Sequence, residues 1–403
     1  MKKILEHRHW VLCLVVFTLP MYARLNNILL GVYIALGIIA ILMNPKPNYL
    51  KNVSRFWPVF IFFILAAIGA FYGTELTNGF KYLERYWSFL LVPLILSTEE
   101  HTDLHKKNQL FKSLALGCVA TLLICYGNLI YEMIQGKEPL NYFYRWRHVG
   151  YEFTKIADTH PTYLGLFTVT SIAYLVEQRK EKGFLKDSIV LFLLLGLFQM
   201  ASRMALLLLL IFSVYFLIRN FKKYRTQVFL IFFGIIAFTG LFKKYSSDYV
   251  QQRLFSKEAY FEDKRLGRWE ASYLIFRENP FFGVGLANIE QARNDKYMEL
   301  GFEQAAKSNL NAHNQLLEFL GRNGIVGGFF YVCSLGFLLI LGIKRKDVIF
   351  TFIFFALILI NFTESTMIRI KGIEFFAVFA SLFLYGLEPP KNKNNENLHY
   401  PRL

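Results

Sequence analysis

The sequence predicts an all-α, polytopic membrane protein with about 12 transmembrane helices and one large outer loop that carries short helices of its own. Three observations carry that prediction. Apolar runs recur from one end of the chain to the other. Only 18% of the 403 residues are charged while 55% are hydrophobic, and mean hydropathy is +0.35; a soluble chain of this length would carry about a quarter charged residues. Basic residues gather in alternate connections, as they do where short loops face the cytoplasm.

In chain order, spans are expected near 10–23, 26–43, 56–72, 82–97, 112–134, 160–177, 186–201, 204–218, 226–242, 315–342, 347–362 and 372–387. In lipid the backbone must satisfy its own polar groups, so each is expected to be a helix. With Lys2, Lys3 and Arg8 placed in the cytoplasm, every second connection is basic. Lys46, Lys51 and Arg55 come first, then Lys106, Lys107 and Lys112, then Arg179, Lys180, Lys182 and Lys186. Arg219, Lys222, Lys223 and Arg225 follow, and then Lys344, Arg345 and Lys346. The expected layout is nine spans over 1–242, an outer segment at 243–313, three spans over 314–387 and a disordered polar tail at 388–403. The net charge of +16 then reads as topology and contact with anionic lipid, and no nucleic-acid module is needed to explain it. Cys13, Cys118, Cys125 and Cys333 all fall inside predicted helices, which suits buried thiols better than disulfides or a metal site.

The long outer segment is where chemistry is expected, because long ordered loops usually carry function. Its stretch "RLGRWEASYLIFRENPFFGVGLANI" has helical spacing up to Asn279-Pro280, which should end the helix, and then a Gly-rich turn. Arg265 and Arg268, three residues apart, share a face of that helix. Alone they are a solvated pair or an anion site. Arg203, in "QMASRMALLLLLIF", sits at a membrane boundary with almost no loop around it. It either snorkels to lipid phosphates or faces a cavity and holds an anion with its fixed fork of donors. His313, in "NLNAHNQLLEFLGRNGIVGG", stands between Asn311 and Asn314 where the polar segment meets the next span. It is a helix-start ring or a general base. Glu318 and Arg322 follow it, and the glycines after Arg322 should loosen the helix. Further polar residues fall at outer span ends: Glu84 and Arg85; Asp158, His160 and Tyr163 with Pro161 at a helix start; Glu364 and Arg369. All lie on one side of the membrane.

No Walker-type phosphate loop, Gly-x-Ser-x-Gly, His-Glu-x-x-His or carboxylate cluster occurs. The expectation is therefore a substrate that arrives already activated, with no cofactor and no metal. A lipid-linked diphosphate fits: pyrophosphate leaves, arginines hold its charge, and His313 takes the acceptor proton.

Taken in order, "ASRMALLL", "RLGRWEASYLIFRENPFFGVGLANI" and "NAHNQLLEFLGRNGIVG", with "DTHPTYLGLF" before them, resemble the bacterial O-antigen ligase and polymerase superfamily. The resemblance covers the span pattern from end to end, with its sharpest motifs between residues 158 and 331. It implies a multi-pass inner-membrane glycosyltransferase whose site faces the periplasm, independent of metal and nucleotide. The implied donor is an undecaprenyl-diphosphate-linked glycan, and for a ligase the implied acceptor is lipid A-core. By motif, His313 would be the essential base, and Arg203 and Arg265 would bind the diphosphate, with Arg268 a second candidate. Supporting roles would fall to Arg85, His160, Tyr163, Asn314, Arg322 and Glu364. The length and the one dominant outer loop favour a ligase over a polymerase or a protein-modifying member. A lipid-linked glycan transporter is the competing class; it would use Arg203 but would not need His313.

Overall fold

The computed structural model describes residues 2–43, 53–72, 76–98, 104–178, 183–221 and 265–386. The expected span at 226–242, the first part of the outer segment (243–264) and the tail lie outside the described residues.

Among the described residues the chain is all helix and turn, with no strand. The α-helices are α1 (Lys2–Thr18), α2 (Ala23–Met43), α3 (Trp57–Phe71), α4 (Leu76–Leu83), α5 (Trp87–Leu96), α6 (Leu104–Gln135), α7 (Tyr151–Thr154), α8 (Pro161–Glu177) and α9 (Phe184–Met200). They continue with α10 (Arg203–Phe221), α11 (Arg265–Glu278), α12 (Ile289–Glu299), α13 (Glu303–Lys307), α14 (Gln315–Lys344), α15 (Val348–Asn361) and α16 (Ile370–Tyr385). Among the described residues, five helices are long and apolar enough to cross a membrane: α2, Ser54–Phe71, α6, α10 and α14. The other predicted spans on described residues are helices too, but shorter. α1, α8 and α9 have 17 residues each and α16 has 16.

Burial explains why short helices suffice at the centre. Every residue of α16 from Lys371 to Tyr385 is buried, as is every residue of α8 from Pro161 to Tyr174. A helix apolar on all sides belongs in an interior. α16 packs on α3 and α5, and α8 on α6, α9 and α15. Outer helices bury one face only. In α6 Leu114, Cys118, Leu122, Cys125 and Leu129 point inward, while Leu116, Leu123, Ile130 and Ile134 are exposed. That exposed apolar stripe is what a lipid-facing helix requires.

Small residues allow the closest helix approaches, as expected where lipid removes the hydrophobic incentive to pack. A Cβ on Gly117 of α6 would stand 2.1 Å from the Phe17 carbonyl oxygen of α1. A Cβ on Gly165 of α8 would stand 2.6 Å from that of Ala205 on α10. The second contact seats the first turn of α10, and Arg203 with it, against the first turns of α8.

Candidate active site

The site is assembled by a junction between the loop after α11 and a broken helix. α11 ends at Glu278, before Pro280, because the residue ahead of a proline is biased away from helix. α14 is kinked at Gly324, with φ +62° and ψ −158°. The kink frees backbone groups that the "PFFGVGL" loop satisfies. Val284 N–H donates to Gly321 O at 3.0 Å, Gly285 N–H to Arg322 O at 2.9 Å, and Ile325 N–H to Pro280 O at 2.7 Å. Leu286 N–H reaches Gly69 O of α3 at 2.7 Å. A Cβ on Gly324 would stand 2.2 Å from Phe281 O, so the loop backbone lies where any other side chain would be. The two glycine-rich motifs of the sequence are thus halves of one contact.

His313 is presented at the start of α14. Its φ is +47°, uncommon outside glycine, and Asn311 Oδ1 accepts its N–H at 3.0 Å. Asn314 caps α14, accepting Leu317 N–H at 3.1 Å and donating to Phe362 O at 3.3 Å. The flanking asparagines therefore build the turn that aims the ring. Glu318, buried, accepts Ala312 N–H at 3.2 Å and Arg293 of α12 at 2.9 and 3.0 Å. It ties the His313 turn to the outer helices.

The His313 Nδ1 stands 3.0 Å from Glu364 Oε2. This close contact sets the ring beside the carboxylate. Arg265 of α11 approaches the other carboxylate oxygen at 4.0 Å. Burial pushes the Glu364 carboxyl up, but the His313 ring, His160 and Arg265 outweigh it and hold the group below the usual carboxylate range. With Nδ1 on the carboxylate, Nε2 is left to meet a substrate.

His313 and Glu364 line a cavity of about 650 Å³ together with Arg85, His160, Tyr163 and Arg369. His160 also caps α8, its Nδ1 accepting Thr162 N–H at 3.3 Å. Of the residues singled out in the sequence, the structure gathers His313, Glu364, His160, Tyr163 and Arg85 on this wall, with Arg265 behind Glu364. Arg322 instead lines a second, smaller cavity that shares Arg85 and Arg369 with the first. Arg203 opens α10 beside α8 and is in neither wall; Arg268 lies in the field of Tyr297; Asn314 acts as the helix cap.

Lys371 also lines the larger cavity and was missed by the sequence reading, as was Arg293. Lys371 had a signal, a lysine in the first turn of an apolar helix. Arg293 had none, because its partner Glu318 is 25 residues away.

A family model described as O-Antigen ligase matches residues 188–332, which include Arg203, Arg265, Arg268, His313 and Arg322. This match supports membership of the O-antigen ligase and polymerase superfamily. The cavity wall also draws Glu364, His160, Tyr163 and Arg85 from outside the matched segment. A search among proteins of curated function returned no match.

Proposed function

We propose that the protein is an inverting membrane glycosyltransferase that moves a glycan from an undecaprenyl-diphosphate carrier to a sugar hydroxyl of lipid A-core, at the periplasmic face of a bacterial inner membrane. The observation that carries this reading is the His313–Glu364 pair, backed by Arg265, on the wall of a cavity large enough for sugar rings. A carboxylate at Nδ1 orients the imidazole and stabilises the imidazolium that forms when Nε2 takes a proton. The acceptor oxygen attacks the anomeric carbon as its proton passes to His313. The bond from that carbon to the phosphate oxygen breaks, and the diphosphate leaves with the electron pair on the carrier lipid. Attack from the face opposite the leaving group inverts the anomeric centre.

Arg265, Arg85 and Arg369 supply positive charge for the leaving diphosphate, and Arg203 adds to it from the first turn of α10 beside α8. The donor arrives activated, so the step needs neither metal nor nucleotide. A polymerase would run the same step with a carrier-linked glycan as acceptor. A transporter would need the arginines but not a His–Glu pair.

The test is transfer by purified protein in detergent, with undecaprenyl-diphosphate-linked glycan and lipid A-core and no nucleotide or metal, followed by gel and mass spectrometry. His313→Ala should lower the rate by roughly 10²–10⁴-fold, the range of general-base catalysis, while donor binding persists. Glycan extended on the carrier would mean polymerase. No new bond with wild type would sink the enzymatic reading.

A further inference from the structure

The second cavity, of about 300 Å³, is built differently from the first. Its floor is Arg322, 1% exposed. Every hydrogen bond the guanidinium makes goes to a neutral oxygen: Nε donates to Asn323 Oδ1 at 3.0 Å and Nη1 to the Tyr86 hydroxyl. Its faces rest on the rings of Tyr86 and Phe319, 5.1 and 4.8 Å from the centroids. Nη2 is buried with no partner, and so is Nε of Arg293 on the same wall. Buried donors of this kind are nearly always satisfied, and a buried charge without a direct counter-ion is costly.

The wall carries four guanidinium groups, of Arg85, Arg293, Arg322 and Arg369, against the carboxylates of Glu290 and Glu318. Both carboxylates are already engaged. Glu318 binds Arg293 and the Ala312 N–H, and Glu290 accepts the Tyr82 hydroxyl at 2.7 Å. The rest of the rim includes Ser308, Asn309 and Asn311, side chains suited to sugar hydroxyls. One side of this cavity comes from α12 and the turn after α13, outside the apolar spans; the His313 cavity includes Ala23, Ile370 and Lys371 at span ends. The two meet at Arg85, Asn311, Ile368 and Arg369.

We propose that the second cavity is a subsite for an anionic substituent, phosphate or carboxylate, on a saccharide substrate, with Arg322 as its principal ligand. Its placement on the outer side of the His313 wall suits a sugar reaching the reaction centre from the loop side rather than a lipid-borne diphosphate. The assignment to a saccharide rests on the transferase reading above; capture of an anion by Arg322 does not. The guanidinium fork would hold the anion through charge-assisted hydrogen bonds, and Ser308 and Asn309 would hold neighbouring hydroxyls.

The test measures binding without transfer, by calorimetry on the purified full chain in detergent. The probes are glucose 6-phosphate, glucuronate, glucose and undecaprenyl diphosphate. Wild type should bind at least one of the sugar anions and should prefer it over neutral glucose. Arg322→Gln should weaken that binding by about tenfold or more, while Arg265→Gln and His313→Ala leave it in place. Ser308→Phe, which blocks the rim from an exposed position, should do the same and keeps the test alive if Arg322→Gln misfolds, as read by melting temperature and gel filtration. Equal binding of glucose, no measurable binding of either sugar anion, or loss in Arg265→Gln instead of Arg322→Gln would overturn the proposal. So would an Arg322 dependence confined to undecaprenyl diphosphate, which would assign the cavity to the carrier. Retained sugar-anion binding in a protein that transfers nothing would count against the transferase reading and leave the anion subsite standing.

Discussion

His313 combines a left-handed backbone, a carboxylate at Nδ1 and a place on a cavity wall. Strained backbone of this kind persists only where its surroundings over-determine it. Here Asn311, Asn314 and Glu318 do so. Glu364 gives this cluster a pH signature. Its native carboxyl is held below the ordinary range near 4.5, so the stability it contributes is present above that range. That stability is lost as pH falls through the lower native value. Glu364→Gln should therefore cost about 1–2 kcal/mol at neutral pH. The difference from wild type should shrink as pH falls below that range, as read from melting temperatures in detergent over a series of acidic pH values. A mutational cost that does not vary with pH would mean that the carboxylate is not held by His313 and Arg265 as described. The histidine and its neighbours were legible in the sequence as residues at one boundary. Their pairing was not, since Glu364 lies a full helical hairpin away from His313.

The loop after α11 and the kink of α14 form one element-scale device. The kinked helix exposes carbonyls at Gly321 and Arg322, and the loop turns its own N–H groups to meet them. Gly324→Ala would force a Cβ against Phe281 O and would place a non-glycine residue at φ +62°. The expected cost is about 1–3 kcal/mol, read as a lowered melting temperature. Because α11 carries Arg265, glycan transfer should fall with it. Gly336→Ala, on the same helix with open space around its Cβ position, should leave stability nearly unchanged or raise it slightly. If both variants melted alike, the loop and the kink would not be coupled. The sequence announced each half here: Asn279-Pro280 as a helix stop, and the glycines after Arg322 as a weak point. In the same stretch Trp269, Tyr273 and Phe276 stand at helical spacing, on one side of α11. The structure packs α11 on α14 and buries Ala271, Ser272 and Ile275, leaving Tyr273 exposed. Small residues permit the close approach, which aromatic rings would prevent.

At the scale of the whole molecule, α14 is the axis that joins chemistry to topology. Its 30 residues span about 45 Å. His313 lies just before one end, and Lys344, Arg345 and Lys346 cluster at the other. A single cysteine at the exposed Lys307 should react with an impermeant maleimide added from the periplasmic side, and one at the exposed Lys344 should not. Cys13, Cys118 and Cys125 are buried, so only Cys333 needs replacing by serine. Labelling of both sites from one side would overturn the orientation. Sequence alone determined the all-helical, apolar class and the helices that fall on the described residues. Those follow from local quantities: apolar length and backbone satisfaction in lipid. Tertiary structure alone decided which polar residues meet. Glu364 reached His313, Arg293 reached Glu318, and Arg322 became the floor of a separate cavity because helices distant in sequence pack side by side. Arg203, prominent in the sequence, opens α10 and is in the wall of neither cavity. Side-chain type and spacing along one helix cannot encode a distance between two helices; only their packing sets it.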